Sequence, residues 1–431
     1  MTEPPAARTS VGSLPGPDDI LRRELASGLV VLARENYSSP SVVLAGYLTA
    51  HGLDETEARA GLADLTASGL MRGTERRSFQ EIYESIESIG AGLGVGGGKV
   101  GTSFHGKALA EDLGVLLELL EEVLRRPVFP EGPIAQLRHE KLTALSIRDD
   151  DTGARADMAF DEIAYPGHPY RIPNEGRRES VSTLTAADLA AFHRMHYGPR
   201  GMVVCIVGAV PAGRAIDQVA EILGGWSSPS GNAAPAVPAA TAPTAVLRQV
   251  VPIPGKVQAD VVLGAPGPSR FEAHFLAAAL ANSVLGRFGM MGRIGETVRE
   301  KAGLAYYAYS SLEGGPGPGS WKTVAGVHPG HLEETVDLIR REIGRLVERG
   351  VTRAELEDNQ AHFIGRLPLQ LETNEGVAGA LLNLERYQLG LDYYRRYPDL
   401  VRAITREAAV EAVRRHLHPD RLAIGIAGPP A

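Results

Sequence analysis

One feature limits what this chain can fold into more than any other: it repeats itself. Residues 185–208 read TAADLAAFHRMHYGPRGMVVCIVG, residues 405–428 read TREAAVEAVRRHLHPDRLAIGIAG, and the two align without a gap at an offset of 220. Thr, Arg, His, Pro, Ile and Gly coincide at 185/405, 194/414, 196/416, 199/419, 206/426 and 208/428. Each copy reads as a helix, a Pro-containing turn and an apolar strand closed by Gly. Leu109, Leu113, Leu116, Leu120 and Leu124 fall on one helical face, and Leu332, Val336, Ile339, Ile343 and Leu346 repeat the pattern. Two homologous halves follow, a repeat at domain scale rather than a solenoid period. Each half opens with strands, such as residues 28–33 and 41–48, continues through helices, and closes with helix then strand. That order predicts an α+β fold of two tandem domains, each a mixed sheet with helices packed on one face. The expected domains are 19–226 and 246–431. Residues 227–245, SSPSGNAAPAVPAATAPTA, lack charge and read as a flexible linker, and residues 1–18 as a disordered leader.

The bulk numbers narrow the function. The chain has 431 residues, 44% hydrophobic and 22% charged, ordinary for a globular protein. Its net charge of −8 makes nucleic acid or an anionic membrane an unnatural partner. No apolar run approaches the roughly 18 residues of a membrane span. The N-terminus lacks a secretory pattern, so a cytoplasmic location is expected. The single cysteine, Cys205, sits in an apolar run and reads as a buried strand residue, which excludes a disulfide framework within the chain.

Two short stretches carry chemistry. Residues 61–74 read GLADLTASGLMRGT within the Ala- and Leu-rich helix of residues 55–70. Residues 299–306 read REKAGLAY. Together they resemble the insulinase/pitrilysin-like zinc peptidases, the inverzincins, which carry H-x-x-E-H on such a helix and an Arg and a Tyr seven residues apart in the second half. The frame around the first motif is kept, but Asp64 and Ser68 stand where the two His would be and Ala67 where the Glu would be. Ala has no base to offer and Ser is a poor zinc ligand. The family's third ligand, a Glu, falls within residues 141–147, where residues 142–147 hold no acid. No metal is therefore expected in this chain. The second motif is intact. The resemblance implies that Arg299 and Tyr306 face the cleft, hold the substrate backbone and stabilise the oxyanion. The plain alternative is a solvent-facing Arg at a helix end and a strand Tyr beside Tyr307 and Tyr309.

Other candidates weigh less. Residues 314–320 (GGPGPGS) lack a contiguous G-K-[ST], and Pro316 and Pro318 remove N–H donors, so residues 314–319 read as a flexible loop near the cleft rather than a phosphate cradle. The glycine-rich residues 92–99 fail the same test. His193 and His196 have helical i,i+3 spacing, but only His196 has a repeat mate, His416, which favours a structural role. His168 reads as a turn residue.

The resemblance thus implies a zinc-less subunit of a heterodimeric zinc endopeptidase. An H-x-x-E-H-bearing homologous subunit would supply zinc and base, unfolded peptide would be the substrate, and a homodimer in isolation stays open. The alternative is a purely structural or peptide-binding homologue without a catalytic partner.

Overall fold

The computed structural model describes residues 14–227, 236–290 and 292–430. The first half builds a six-stranded sheet in the order β1-β2-β6-β3-β5-β4, from β1 Leu21–Glu24, β2 Val30–Glu35, β3 Ser41–Leu48, β4 Gly92–Gly98, β5 Gly101–Leu109 and β6 Val203–Gly208. The second builds a five-stranded sheet, β7-β11-β8-β10-β9, from β7 Leu247–Pro252, β8 Ala259–Pro266, β9 Ala305–Leu312, β10 Ser320–Val327 and β11 Ala423–Gly428. Apart from β1, the two wirings are identical. β2 pairs parallel with β6 as β7 does with β11, and the remaining neighbours are antiparallel in both. The repeat seen in the sequence has one geometry. Helices Ala186–His196 and Arg406–His416 both follow a Thr N-cap, Thr185 or Thr405, whose hydroxyl accepts a backbone N–H in the first turn, and each leads into an interior strand, β6 or β11.

Each sheet buries one face under helices of its own half. Helices Leu62–Gly69, Leu113–Arg125, Ala186–His196 and Ala212–Leu223 cover the first. Phe275–Gly286, Leu332–Arg349 and Arg406–His416 cover the second. The opposite faces are not open: the halves exchange helices across them. Helix Asn374–Arg386, from the second half, lays Val377, Ala378, Leu381 and Leu384 on Val30, Leu32, Val43, Val203 and Cys205. Helix Thr152–Ala164, from the first half, lays Ala156, Phe160 and Ala164 on Val262, Val324, Ala423 and Ala427. This explains why β6 and β11 read as unbroken apolar runs, since both of their faces are covered. Gly425 lets the exchanged helix approach, because a Cβ there would collide with the Ala156 carbonyl and the Phe160 backbone. Burial pushes the Cys205 thiol up in pKa.

Four expectations change in detail. The glycine-rich residues 92–98 are an edge strand, β4. Leu109 ends β5, so its helix begins only at Leu113. Residues 14–18, expected in a disordered leader, pack on the second half: the Leu14 carbonyl and the Asp18 carboxylate both engage Arg395. The rest of that leader lies outside the described residues. In the linker, residues 228–235 also lie outside them, whereas Pro238 accepts a hydrogen bond from His168 and Ala240 packs beside the exchanged helix. Among the described residues, no helix is long and apolar enough to cross a membrane.

Candidate functional site

The helix Leu62–Gly69 starts at Gly61, whose φ of 90° favours glycine. Glu55 holds this start from outside, accepting from the N–H groups of Gly61 (3.1 Å) and Ala63 (2.7 Å). β4 crosses the helix at backbone contact, and a Cβ on Gly97 would lie 2.7 Å from the Asp64 Cα. The glycines of β4 thus serve close packing on the motif helix and cradle no phosphate.

Asp64 is only 8% exposed, and its carboxylate lies 2.5 Å from Lys141 Nζ, on helix Glu131–Asp150. Burial raises the Asp64 pKa, and the Lys141 ammonium offsets part of that. Ala67 is fully buried in the first core, and Ser68 is half-buried. These residues do not fit zinc. The motif's one carboxylate is already paired with a fixed ammonium, and Ala67, in the position of the base, has no group to take a proton. Lys141, which begins the stretch expected to hold the family's Glu, supplies a positive charge at Asp64. The carboxylate at 64 and the lack of an acid at 142–147 were visible in the sequence, but the pairing of Asp64 with Lys141 was not.

The second motif is arranged in the opposite way. Arg299 lies in a π-helical turn, Gly295–Lys301, that anchors itself through buried Val298. Its guanidinium is partly exposed, and the ion pair it makes is a long one with its neighbour Glu300, 3.7 Å. Gly303, with φ of 65°, turns the chain into β9. There β9 carries a bulge: Gly326 pairs with Tyr307 and Val327 with Ala305, leaving Tyr306 as the extra residue. Simple alternation would place Tyr306 on the same face as Ala308 and Ser310, both buried in the second half. The bulge throws it out instead, to 86% exposure. Among the described residues its hydroxyl has no hydrogen-bond partner. Its neighbours are spent structurally. Tyr307 donates to Asp260, which also receives Thr152 from the exchanged helix, and Tyr309 packs beside Tyr307. Among the described residues, no hydrogen bond or ion pair links Arg299 or Tyr306 to Asp64 or Lys141.

Between the halves lies a cavity of about 490 Å³ that the sequence did not disclose, lined by Lys99, Asp157, Asp161, Glu175, Glu313 and Gly314, among others. Among the described residues, the buried Lys99 Nζ has no hydrogen-bond partner, and burial lowers its pKa. Burial and the nearby Asp157 hold the Asp161 carboxyl well above the usual range. Lys322 bridges Asp157 (2.6 Å) and Glu313 (3.1 Å). Residues 314–319 close one side of the cavity and are pinned rather than free: Tyr165 donates to the Pro318 carbonyl, Ser269 to that of Pro316, and the Arg270 N–H to that of Gly315.

His168, His193 and His196 make structural contacts. His193 bonds the Leu124 carbonyl, His196 stacks on Phe192, and His168 caps the turn Pro169–Arg171 through the Tyr170 N–H.

Comparison with known proteins agrees with this geometry. A family model described as the peptidase M16 inactive domain matches residues 183–362. An uncharacterized zinc protease of Streptomyces coelicolor is 28% identical over 369 residues, covering 84% of this chain and 79% of its own. Human mitochondrial cytochrome b-c1 complex subunit 1 is 24% identical over 269 residues, covering 61% and 55%. The crystal structure of an M16 peptidase inactive domain from Pseudomonas fluorescens superposes with a TM-score of 0.88 at 25% identity, covering 96% of this chain and 98% of that one. The chain is homologous to the M16 peptidases of the insulinase/pitrilysin kind: its second half is similar to their inactive domain, and its first half carries Asp64, Ala67 and Ser68 where the resemblance places the zinc motif.

Proposed function

We propose that this chain is the zinc-less subunit of a heterodimeric zinc endopeptidase, and that Arg299 and Tyr306 are its contribution to peptide binding and oxyanion stabilisation. One observation carries the reading. Tyr306 is an exposed phenol held off its own sheet by a bulge, at an edge strand, with a partly exposed guanidinium on the turn that leads into it. A fold that needed this tyrosine for packing would not display it. The two donors suit an oxygen that gains charge as a peptide carbonyl is attacked. The Asp64–Lys141 pair cannot bind the metal or activate water, so both belong to an H-x-x-E-H-bearing homologue.

The test is reconstitution. This chain and such a homologue from the same source are mixed, and cleavage of unfolded peptides is measured against each alone. Hydrolysis that needs both supports the proposal. Hydrolysis by the homologue that this chain does not change opposes it. The likeness to cytochrome b-c1 complex subunit 1 favours a second reading, a purely structural subunit, and that outcome would select it.

A further inference from the structure

His274 immediately precedes helix Phe275–Gly286, and His416 closes helix Arg406–His416. Small residues, Ala277, Ala278 and Ala281 against Ala409 and Ala412, pack the two helices in one core and bring these ends together. The Nε2 atoms of His274 and His416 lie 3.0 Å apart, and the Glu272 carboxylate lies 3.5 Å from His274 Nε2. One donor atom from each of the three falls within 4.8 Å of the others. Ligands at the 2.0–2.1 Å bond lengths of tetrahedral zinc sit about 3.3 Å from one another, so the two observed separations bracket that value.

The surroundings orient the donors. His416 Nδ1 lies 3.2 Å from the Pro266 carbonyl, which can only accept, so Nδ1 carries the hydrogen and Nε2 presents its lone pair. Glu272 Oε1 accepts from the Ser269 N–H at 2.7 Å, leaving Oε2 for the histidines. Both are the outer-shell contacts that fix metal-bound His and carboxylate. Arg415 is the nearby cation that would oppose a metal, and Glu411 engages it at 3.0 Å. Exposed Glu272 borders two solvent-facing hollows, of about 820 and 400 Å³, which give an ion a way in. Among the described residues, His196, the repeat mate of His416, makes no such set: its ring meets His51 edge-on at 6.2 Å and stacks on Phe192.

We propose that Glu272, His274 and His416 form a binding site for a first-row divalent metal of the zinc class, with water completing the coordination. It would tie the start of one second-half helix to the end of another. It departs from the expectation of a metal-free chain and is independent of the degenerate motif at Asp64.

The test uses the full chain, stripped with chelator and dialysed, then titrated with Zn²⁺ by calorimetry with metal analysis. One Zn²⁺ per chain is expected, and Co²⁺ in its place should show the intense visible bands of a tetrahedral site. His274→Gln and His416→Gln should each weaken binding by at least about 10²-fold, beyond the 10–100-fold cost of losing an outer-shell partner. Asp64→Asn should leave it unchanged. Zn²⁺ should raise the Tm of the wild-type chain and not of either His variant. Absence of stoichiometric Zn²⁺ and of the Co²⁺ spectrum in the wild-type chain would overturn the site and leave the pair as a hydrogen bond between imidazoles. Stoichiometric Zn²⁺ retained by the double variant would overturn it too, by placing the ion elsewhere.

Discussion

The motif helix of the first half and the Arg/Tyr turn of the second present their side chains in opposite ways. At Asp64 the positions that bind metal in the family are turned inward: a buried carboxylate meets an ammonium, Ala67 joins the core, and a glycine strand lies on the backbone. At Tyr306 the chain uses a bulge to keep a bulky aromatic out of the core and in water. One region has exchanged chemistry for packing, and the other gives up packing for accessibility. Exposed groups with no structural partner are where function is to be sought; buried, satisfied ones are where stability is.

The largest effect that can break this comparison is kinetic. In the reconstituted complex, Tyr306→Phe or Arg299→Ala should lower kcat by about 10²–10³, the usual cost of one oxyanion donor, with a smaller rise in KM. A rise in KM alone would make Arg299 a binding residue. Unchanged constants in both variants, with assembly confirmed by size exclusion, would mean that the open region carries no chemistry.

Much of this was legible beforehand, for physical reasons. The repeat was readable because the same helix-turn-strand must place Gly208 and Gly428 at the same end of equivalent interior strands. The loss at 64, 67 and 68 was readable because ligand chemistry depends on residue type. What could not be read was anything that depends on contacts distant in the chain. Lys141 facing Asp64, the exchanged helices Thr152–Ala164 and Asn374–Arg386, and His274 beside His416 join residues 77 to more than 200 positions apart. The bulge at Tyr306 was hidden because it is set by β10, through Gly326 and Val327, and the tyrosine run itself gives no sign of it.

The next effect sharpens the sealed side. Lys141→Met should destabilise the chain by roughly 2–3 kcal/mol, below the 3–5 kcal/mol of a fully buried pair because Lys141 keeps partial solvent contact. Asp64→Leu combined with Lys141→Met should lose far less than the sum of the single variants, since no charge is left unpaired. Urea denaturation gives both values. Additive losses would show that the pair does not act as a unit.

A smaller effect tests the close approach of β4. Gly97→Ala should cost about 1–3 kcal/mol, because its Cβ meets the Asp64 and Ala63 backbone and neither can yield as a side-chain tip would. Gly96→Ala, one residue away, meets only Ser103 Oγ at 4.0 Å and should change stability by less than about 0.5 kcal/mol. Equal costs at the two positions would mean that strand propensity, and not contact with the motif helix, sets the glycine content.

The smallest effect is expected where the proposed function is greatest. Tyr306 and Tyr307 are adjacent, alike in chemistry and alike in strand propensity, so only their surroundings distinguish them. The Tyr307 hydroxyl donates to the buried Asp260, which then keeps Thr152 and Gln258 as its other donors. Tyr307→Phe removes one of these donors and should cost about 1–2 kcal/mol. Tyr306→Phe removes an exposed hydroxyl that has no hydrogen-bond partner among the described residues, and should alter stability by less than about 0.5 kcal/mol. Thermal unfolding of the two variants side by side settles the contrast. If Tyr306→Phe destabilised as much as Tyr307→Phe, its hydroxyl would be serving the fold, and exposure would lose its weight as a sign that this tyrosine is held ready for a peptide.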